Sequence, residues 1–331
     1  MVALGARALD LYFGKWIDKK MKKLGLIIAV IIAVTAGFSV VSDHYRKDLY
    51  EVAIDFEASN SRLTHQVGEF GDASFAYFEG PKVEGQEHIV LLHGFGGSKE
   101  NWLRYSKYLT EKHHVIAHDL AGHGENVRDL KQNYSVVDQV EFVRAALASM
   151  GVARFHLVGN SMGGAISSLY AATYPEQVMS ATLISPAGVH DIPSKMDEIL
   201  EQGGNPLIAK SVDDFFDLLD FVMEDKPYIP AAIVKVEAER ALSRVDINTK
   251  IFADLRADLE SGMEEKLSQI QAPVLFIWGD HDRAINFENI DKYASLIPNS
   301  QKLVLENIGH LAMIEVPEVS AQATLRFLSV N

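Results

Sequence analysis

The alternation of apolar and polar positions changes character several times along this chain. From Leu24 to Ser42 the residues LGLIIAVIIAVTAGFSVVS carry no charge and lack the polar stripe that turns one face of a soluble helix to water. Wound as a helix, this run is about 28 Å long, close to the thickness of a bilayer's hydrocarbon core. A second helical stretch follows over 48–59, where Leu49, Ala53, Ile54 and Phe56 fall near one face. Arg62–Gly68 and Ser74–Glu79, joined through Gly71 and Asp72, read as a β-hairpin. Beyond them, short apolar runs predict strands at His88–Leu92, Val115–His118, Phe155–Val158, Ala181–Ile184, Val274–Trp278 and Lys302–Leu305. Helices are predicted between them at Val136–Met150, Gly163–Tyr174 and Asn286–Leu296. Strands that are apolar throughout are buried on both faces, and their alternation with helices implies right-handed crossovers. The predicted class is α/β, a mostly parallel sheet covered by helices. Residues 190–271 break the rhythm: they are helical, acidic and without strand signals, and are expected to form a cap inserted into the sheet domain. The expected organisation is a basic segment 1–23, an anchor 24–42, a linker helix 43–61, a core of 62–189 with 272–331, and the cap.

Charge sharpens this picture. The chain has 331 residues and a net charge of −14, which argues against nucleic acid as a partner. Without cysteine it has no disulfide, thiolate nucleophile or thiolate metal ligand. The first 23 residues run the other way, with Arg7, Lys15, Lys19, Lys20, Lys22 and Lys23 against Asp10 and Asp18. A basic flank before an apolar helix predicts a single-pass protein with its N-terminus in the cytoplasm and the remainder exported, periplasmic or extracellular. Met21-Lys22-Lys23 also has the form of a secretory signal, with Val34-Thr35-Ala36 as cleavage site and Met21 as an alternative initiator. The apolar run continues past that site through Val40 and Val41, which favours an uncleaved anchor over a secreted product.

The candidate chemistry begins at Gly159-Asn160-Ser161-Met162-Gly163, a G-x-S-x-G directly after a predicted strand and before a predicted helix. In that setting a serine is lifted clear of the sheet as a nucleophile. Its base and acid should follow in the order acid, then histidine. Only His190, His281 and His310 lie beyond Ser161. His310, in the loop after the last predicted strand, would be delivered to the carboxyl edge of the sheet. Asp280 and Asp282 both end Val274–Trp278, and spacing alone does not choose between them. Backbone N–H groups of Phe95, in His93-Gly94-Phe95-Gly96-Gly97, and of Met162 are the candidate oxyanion donors. The glycine run lacks G-x-G-x-x-G spacing, so a nucleotide loop is not expected. Asp119-Leu120-Ala121-Gly122-His123-Gly124 reads as a structural turn near the mouth of the site. His118 and His123 lack the companions of a metal site, and neither metal nor cofactor is expected. In Ser211–Met223, Asp213, Asp217 and Asp220 share one helical face, with Phe215, Leu218, Leu219 and Val222 opposite. Ser211 with Asp214 suits a capping box. Phe215, Leu219 and Val222, with Phe95 and Met162, are expected to contact substrate.

With these residues in view, the chain resembles the α/β-hydrolase superfamily over roughly Gln66–Leu328. His93-Gly94, Gly159-Asn160-Ser161-Met162-Gly163, Trp278-Gly279-x-x-Asp282 and Gly309-His310 follow that superfamily's pattern in order. LLHGFGGSKENW, GNSMGGAIS and NPL…DFVMEDKPYIP are similar to cold-adapted bacterial triacylglycerol lipases, and the anchor with Asp-Leu-Ala-Gly-His-Gly to the membrane-anchored monoacylglycerol lipase of animals. The resemblance places the acid at Asp282. It implies a monomeric serine hydrolase working through Ser161, His310 and Asp282 on lipid-like esters, monoacylglycerols or medium-chain acylglycerols. The scaffold also serves C–C bond hydrolases of dienoic ring-cleavage products, amidases and lactonases, which stand as alternatives, with a non-catalytic anchored binding protein the remotest.

Overall fold

The computed structural model describes residues 45–82, 85–259 and 263–330. The basic segment 1–23 and the anchor expected at 24–42 lie outside them. Among the described residues no helix is long and apolar enough to cross a membrane.

Helix α1 (Arg46–Asn60) opens the described chain. Its docking face differs from the expected one: Leu49 and Phe56 are exposed, whereas Tyr50 and Ala58 are buried. The i, i+4 spacing of Tyr50, Ile54 and Ala58 defines the face that packs. A polar anchor explains the choice, because the Tyr50 ring lies 4.2 Å beneath the Arg240 guanidinium and its hydroxyl accepts from Arg240 Nη1 at 2.6 Å. Arg46 pairs with Glu239 at 2.6 Å, and Arg104 Nε donates to Glu57 at 2.9 Å.

Strands β1 (Thr64–Phe70) and β2 (Ala73–Glu79) form the hairpin. Phe70 pairs with Ala73, so the turn is the two residues Gly71 and Asp72, and both strands run further into it than expected. Gly71 has φ +54°, a value that two-residue turns matching the twist of a hairpin require. Then follow β3 (His88–Leu92), α2 (Leu103–Leu109), β4 (His114–His118), α3 (Val136–Ser149), β5 (Phe155–Asn160), α4 (Met162–Thr173) and β6 (Val178–Ile184). Five helices, α5 (Lys195–Glu201), α6 (Val212–Val222), α7 (Ala231–Leu242), α8 (Val245–Leu259) and α9 (Met263–Leu267), precede β7 (Val274–Gly279). The chain ends with α10 (Ile290–Leu296), β8 (Ser300–Leu305), α11 (Ala312–Glu315) and α12 (Pro317–Leu328). The helix expected from Asn286 begins instead with a 3-10 turn at Phe287–Asn289. Asn286 Oδ1 caps that turn by accepting from Glu288 N–H at 3.0 Å, and the Asn289 side chain makes a reciprocal pair with the Ile192 backbone, each bond 2.9 Å.

The eight strands lie in the order β1-β2-β4-β3-β5-β6-β7-β8. Only β1 with β2 and β2 with β4 are antiparallel; the other pairs are parallel. Along β3, Val90 and Leu92 join one apolar cluster with α3 and α4, whereas Ile89 and Leu91 join the other with α2 and α12. Burial on both faces is the reason β3 to β7 read as continuous apolar runs; β8, expected to be buried likewise, is an edge strand and largely exposed.

Candidate active site

Ser161 sits between the end of β5 and the start of α4 at φ 54° and ψ −117°. That conformation costs a residue with a Cβ on the order of 1–3 kcal/mol. The surroundings hold it there: Ser161 N–H donates to Ile184 O at 3.0 Å, and its carbonyl accepts from Ala165 and Ala187. The turn depends on close approach. A Cβ on Gly163 would lie 2.2 Å from Leu92 O, and one on Gly94 would lie 3.2 Å from Ser161 Cβ. Although Ser161 occupies the N-cap of α4, its side chain makes no cap hydrogen bond. The hydroxyl is not spent on local structure.

The loop containing Gly94 is aimed by His93, which is fully buried. Leu120 N–H donates to His93 Nε2 at 3.1 Å, so the proton is on Nδ1, and that N–H donates to Gly94 O at 2.8 Å. Burial holds the His93 pKa down at about 4, with the Gly94 carbonyl opposing. Gly97 N–H also donates to Gly94 O, at 3.2 Å. The carbonyl of a trans peptide and the following N–H point in opposite directions, so fixing Gly94 O turns Phe95 N–H the other way. Among the described residues neither Phe95 N–H nor Met162 N–H has a hydrogen-bond partner.

Behind Ser161 the chain brings β5, β7 and the loop after β8 together. His310 is 4% exposed, and its Nδ1 lies 2.7 Å from Asp282 Oδ2. That oxygen also accepts from Trp278 Nε1 at 3.0 Å, while Oδ1 accepts from Ala284 and Ile285 N–H at 2.9 and 3.0 Å. With all four bonds arriving at an acceptor, His310 carries its proton on Nδ1 and leaves Nε2 as a base. Asp280 takes no part in this arrangement. It accepts from Asn307 N–H at 2.7 Å and pairs at the surface with His281, whose pKa is raised by that bond. His190 is exposed.

Two neighbours of the site leave little trace in the sequence. Asn160 Nδ2 donates to both Ile184 O and His310 O at 3.1 Å, joining the His310 backbone to the residue before Ser161. Glu315 gathers backbone N–H groups from two distant segments: Gly309 at 3.0 Å, Leu311 at 3.3 Å, Glu224 at 2.8 Å and Asp225 at 2.9 Å. His310 N–H itself donates to Val222 O at 2.9 Å. The signal for Glu315 was a single acid in the apolar run Leu311–Val316.

The structural turn expected at Asp119 is tied to Lys99, which is fully buried. Asp119 accepts from Lys99 N–H at 2.7 Å, Lys99 Nζ at 3.1 Å and Glu125 N–H at 3.0 Å. His118 and His123 are buried as well, with pKa values pushed down to about 4 and about 3 by burial. In α6, Val222 is buried and Phe215, Leu218 and Leu219 are half-buried, opposite the exposed Asp213, Asp217 and Asp220. Ser211 caps α6 through Asp214 N–H at 3.1 Å, but the Asp214 carboxylate reaches back to Lys210 N–H at 2.8 Å, one residue earlier than a capping box requires.

A profile of the alpha/beta hydrolase fold matches residues 87–317. The chain is 35% identical to Lipase 1 of Psychrobacter immobilis over 257 residues, covering 77% of this chain and 80% of that protein. It is 31% identical to a monoacylglycerol lipase of Xenopus laevis over 276 residues, 80% and 82% of the two chains. A crystal structure of a membrane phospholipase A, described as a bacterial virulence factor, superposes with a TM-score of 0.84 at 38% identity, covering 93% of this chain and 98% of the other. The chain therefore belongs to the α/β-hydrolase family, as a hydrolase of the lipase type.

Proposed function

We propose that the protein is a carboxylic ester hydrolase of lipid-like esters, monoacylglycerols or medium-chain acylglycerols, with Ser161 as nucleophile, His310 as base and Asp282 as the acid that orients it. The observation that carries this reading is the His310 Nδ1 to Asp282 Oδ2 bond of 2.7 Å, tied through Asn160 and His310 O to the residue before a serine whose backbone is strained and whose hydroxyl is unused as a cap. His310 Nε2 takes the Ser161 proton as Oγ attacks the ester carbonyl. The Phe95 and Met162 N–H groups receive the developing oxyanion. Protonated His310 then gives its proton to the leaving alkoxide, and water hydrolyses the acyl-enzyme by the same route.

Lipid as the substrate class rests on two supports. The relatives named above are lipases by their descriptions. In addition, α6 leaves Phe215, Leu218 and Leu219 half-buried and Phe216 exposed, so its apolar face is incompletely covered and suits an acyl chain. Each buried CH₂ contributes roughly 0.8 kcal/mol, which creates a chain-length preference. The anchor at 24–42 would hold the enzyme at a membrane, its catalytic part on the exported side; a topology reporter fused after residue 60 should read as non-cytoplasmic.

The test is a hydrolysis panel of p-nitrophenyl and glyceryl esters across chain lengths. Medium chains should exceed acetate in kcat/KM, Leu219→Asp should shift the preference toward short chains, and Ser161→Ala should lose on the order of 10³-fold or more in kcat while remaining folded. Retention of more than about a tenth of wild-type kcat by Ser161→Ala sinks the nucleophile assignment. An acetate optimum that Leu219→Asp leaves unchanged sinks the acyl wall.

A further inference from the structure

The sheet stops at β8, and the outer edge of that strand is open. β8 is last in the strand order and pairs only with β7. The carbonyls of Asn299 and Leu305 point inward, accepting from Val274 and Asp280 N–H at 3.0 Å each. Neighbouring residues of a strand turn their backbone groups to opposite edges, so Lys302 and Val304 present theirs outward. Among the described residues, nothing outside the ladder with β7 bonds to the backbone of either. Such an edge is a template for a further strand, and folded proteins usually shorten, cover or charge it. Here the strand is six residues long and its one charge is Lys302, drawn aside to Asp291 at 2.5 Å.

The surroundings of the edge are apolar. Lys302 and Val304 share one face of the sheet and, with Ile192, Phe287 and Ile290, line a groove of about 530 Å³. Ile192 and Val304 are 37% and 40% exposed. Just past the strand, Glu306 is exposed and has no ion pair among the described residues.

We propose that this edge receives a second copy of the chain, its β8 added antiparallel about a two-fold axis through Val304. In an antiparallel pair, residues that point their backbone groups at the partner strand stand opposite one another. A symmetric joint within the strand can therefore centre on Lys302, Leu303 or Val304. The first sets Lys302 against Lys302, and the second sets Lys302 against Val304. The third sets Val304 against Val304 and each Lys302 against Glu306 of the other copy. Like charges directly opposite destabilise a sheet, whereas apolar and opposite-charge pairs stabilise it, so charge selects the third. The axis stands perpendicular to the sheet, so the grooves of both copies open on one face and meet at the two Val304 side chains. The contact is isologous and closes on itself, giving a dimer in place of the monomer that the resemblance implies. It is independent of the reaction proposed for Ser161.

Because the chain has no cysteine, single cysteines report the joint without background. In the full chain, Val304→Cys oxidised by copper phenanthroline in air should give a disulfide-linked dimer, since hydrogen-bonded cross-strand Cα atoms lie about 5.5 Å apart, within a disulfide's span. A mixture of Lys302→Cys and Glu306→Cys should cross-link more than either variant alone. Val67→Cys, exposed on the opposite edge strand β1, should not cross-link. Light scattering of wild type should give the mass of two chains. Lys302→Glu should weaken the dimer by about tenfold or more, and adding Glu306→Lys should restore it. A wild-type circular dichroism spectrum reports that each variant is folded. A one-chain mass at every concentration overturns the proposal, Lys302 then guarding a free edge. A dimer in which Val304→Cys links no better than Val67→Cys places the contact elsewhere and also overturns it. Lys302→Cys linking alone as well as in the mixture overturns the register and the charge argument behind it.

Discussion

Asp282 has no acceptor to spare. Its two oxygens take Trp278 Nε1, His310 Nδ1 and the Ala284 and Ile285 N–H groups, so an amide in its place must set its own NH₂ against a donor whichever way it turns. Asp282→Asn should therefore lower kcat by on the order of 10³–10⁴, because the imidazole loses both its tautomer and its counter-charge. Asp280→Asn disturbs a surface pair with His281 and a bond from Asn307 N–H that an amide oxygen can still accept, and surface pairs of that kind matter little; kcat should change by less than about threefold. Steady-state kinetics on one ester distinguishes them, and a larger loss at position 280 would mean that the acid is misassigned. The sequence carried Ser161 and His310 legibly, because each follows an apolar run that could only be a strand ending at one edge of the sheet. It could not separate Asp280 from Asp282 by spacing, since the distinction lies in which carboxylate the turn after β7 supplies with N–H groups. Asn160 was hidden for a related reason: its bonds reach residues 24 and 150 positions away, and such contacts leave no periodic trace.

Between elements, Glu315 ties the loop that carries His310 to the chain after α6. One carboxylate at the end of α11 collects N–H groups from the chain just after α6 and from both sides of His310. Bonds from neutral donors to a charged acceptor contribute about 1.5–3 kcal/mol each, and buried N–H groups left without an acceptor are costly. Glu315→Ala should lower stability by roughly 3 kcal/mol or more and raise hydrogen exchange at Glu224, Asp225, Gly309 and Leu311 above that of the sheet. Exchange that stays at wild-type level at Glu224 and Asp225 would show that α6 is held by other contacts. At this scale the sequence was a good guide to what exists and a poor guide to how it docks. Every strand and the helices α3 and α4 lie where the apolar runs predicted them, but α1 turns Tyr50 rather than Leu49 and Phe56 to the body. Apolar periodicity names the face with the larger moment; here a tyrosine beneath an arginine of α7 decided the orientation.

For the molecule as a whole, three neutral histidines set a dependence on acid. His93, His118 and His123 are 0%, 0% and 2% exposed, with pKa values lowered by burial to about 4, 4 and 3 from an ordinary 6.5. The unfolded chain binds protons at these groups below pH 6.5 and the folded chain does not, so their contribution is fully present above that value. It is lost as pH falls from 6.5 toward the folded values, at roughly 2 kcal/mol per imidazole by pH 5. Denaturant midpoints should drop clearly between pH 7 and pH 5, before the carboxylates titrate; equal midpoints would show that these rings are not neutral in the fold. Helix α1 carries a different implication. It is pinned at one end to α7 through Arg46, Tyr50 and Arg240 and at the other to α2 through Glu57 and Arg104, so the chain leaves the folded body at Tyr45 by a stiff handle rather than a loose strap. A pull applied at Tyr45 is thereby passed straight to the body, with no swivel at the joint between α1 and the hydrolase.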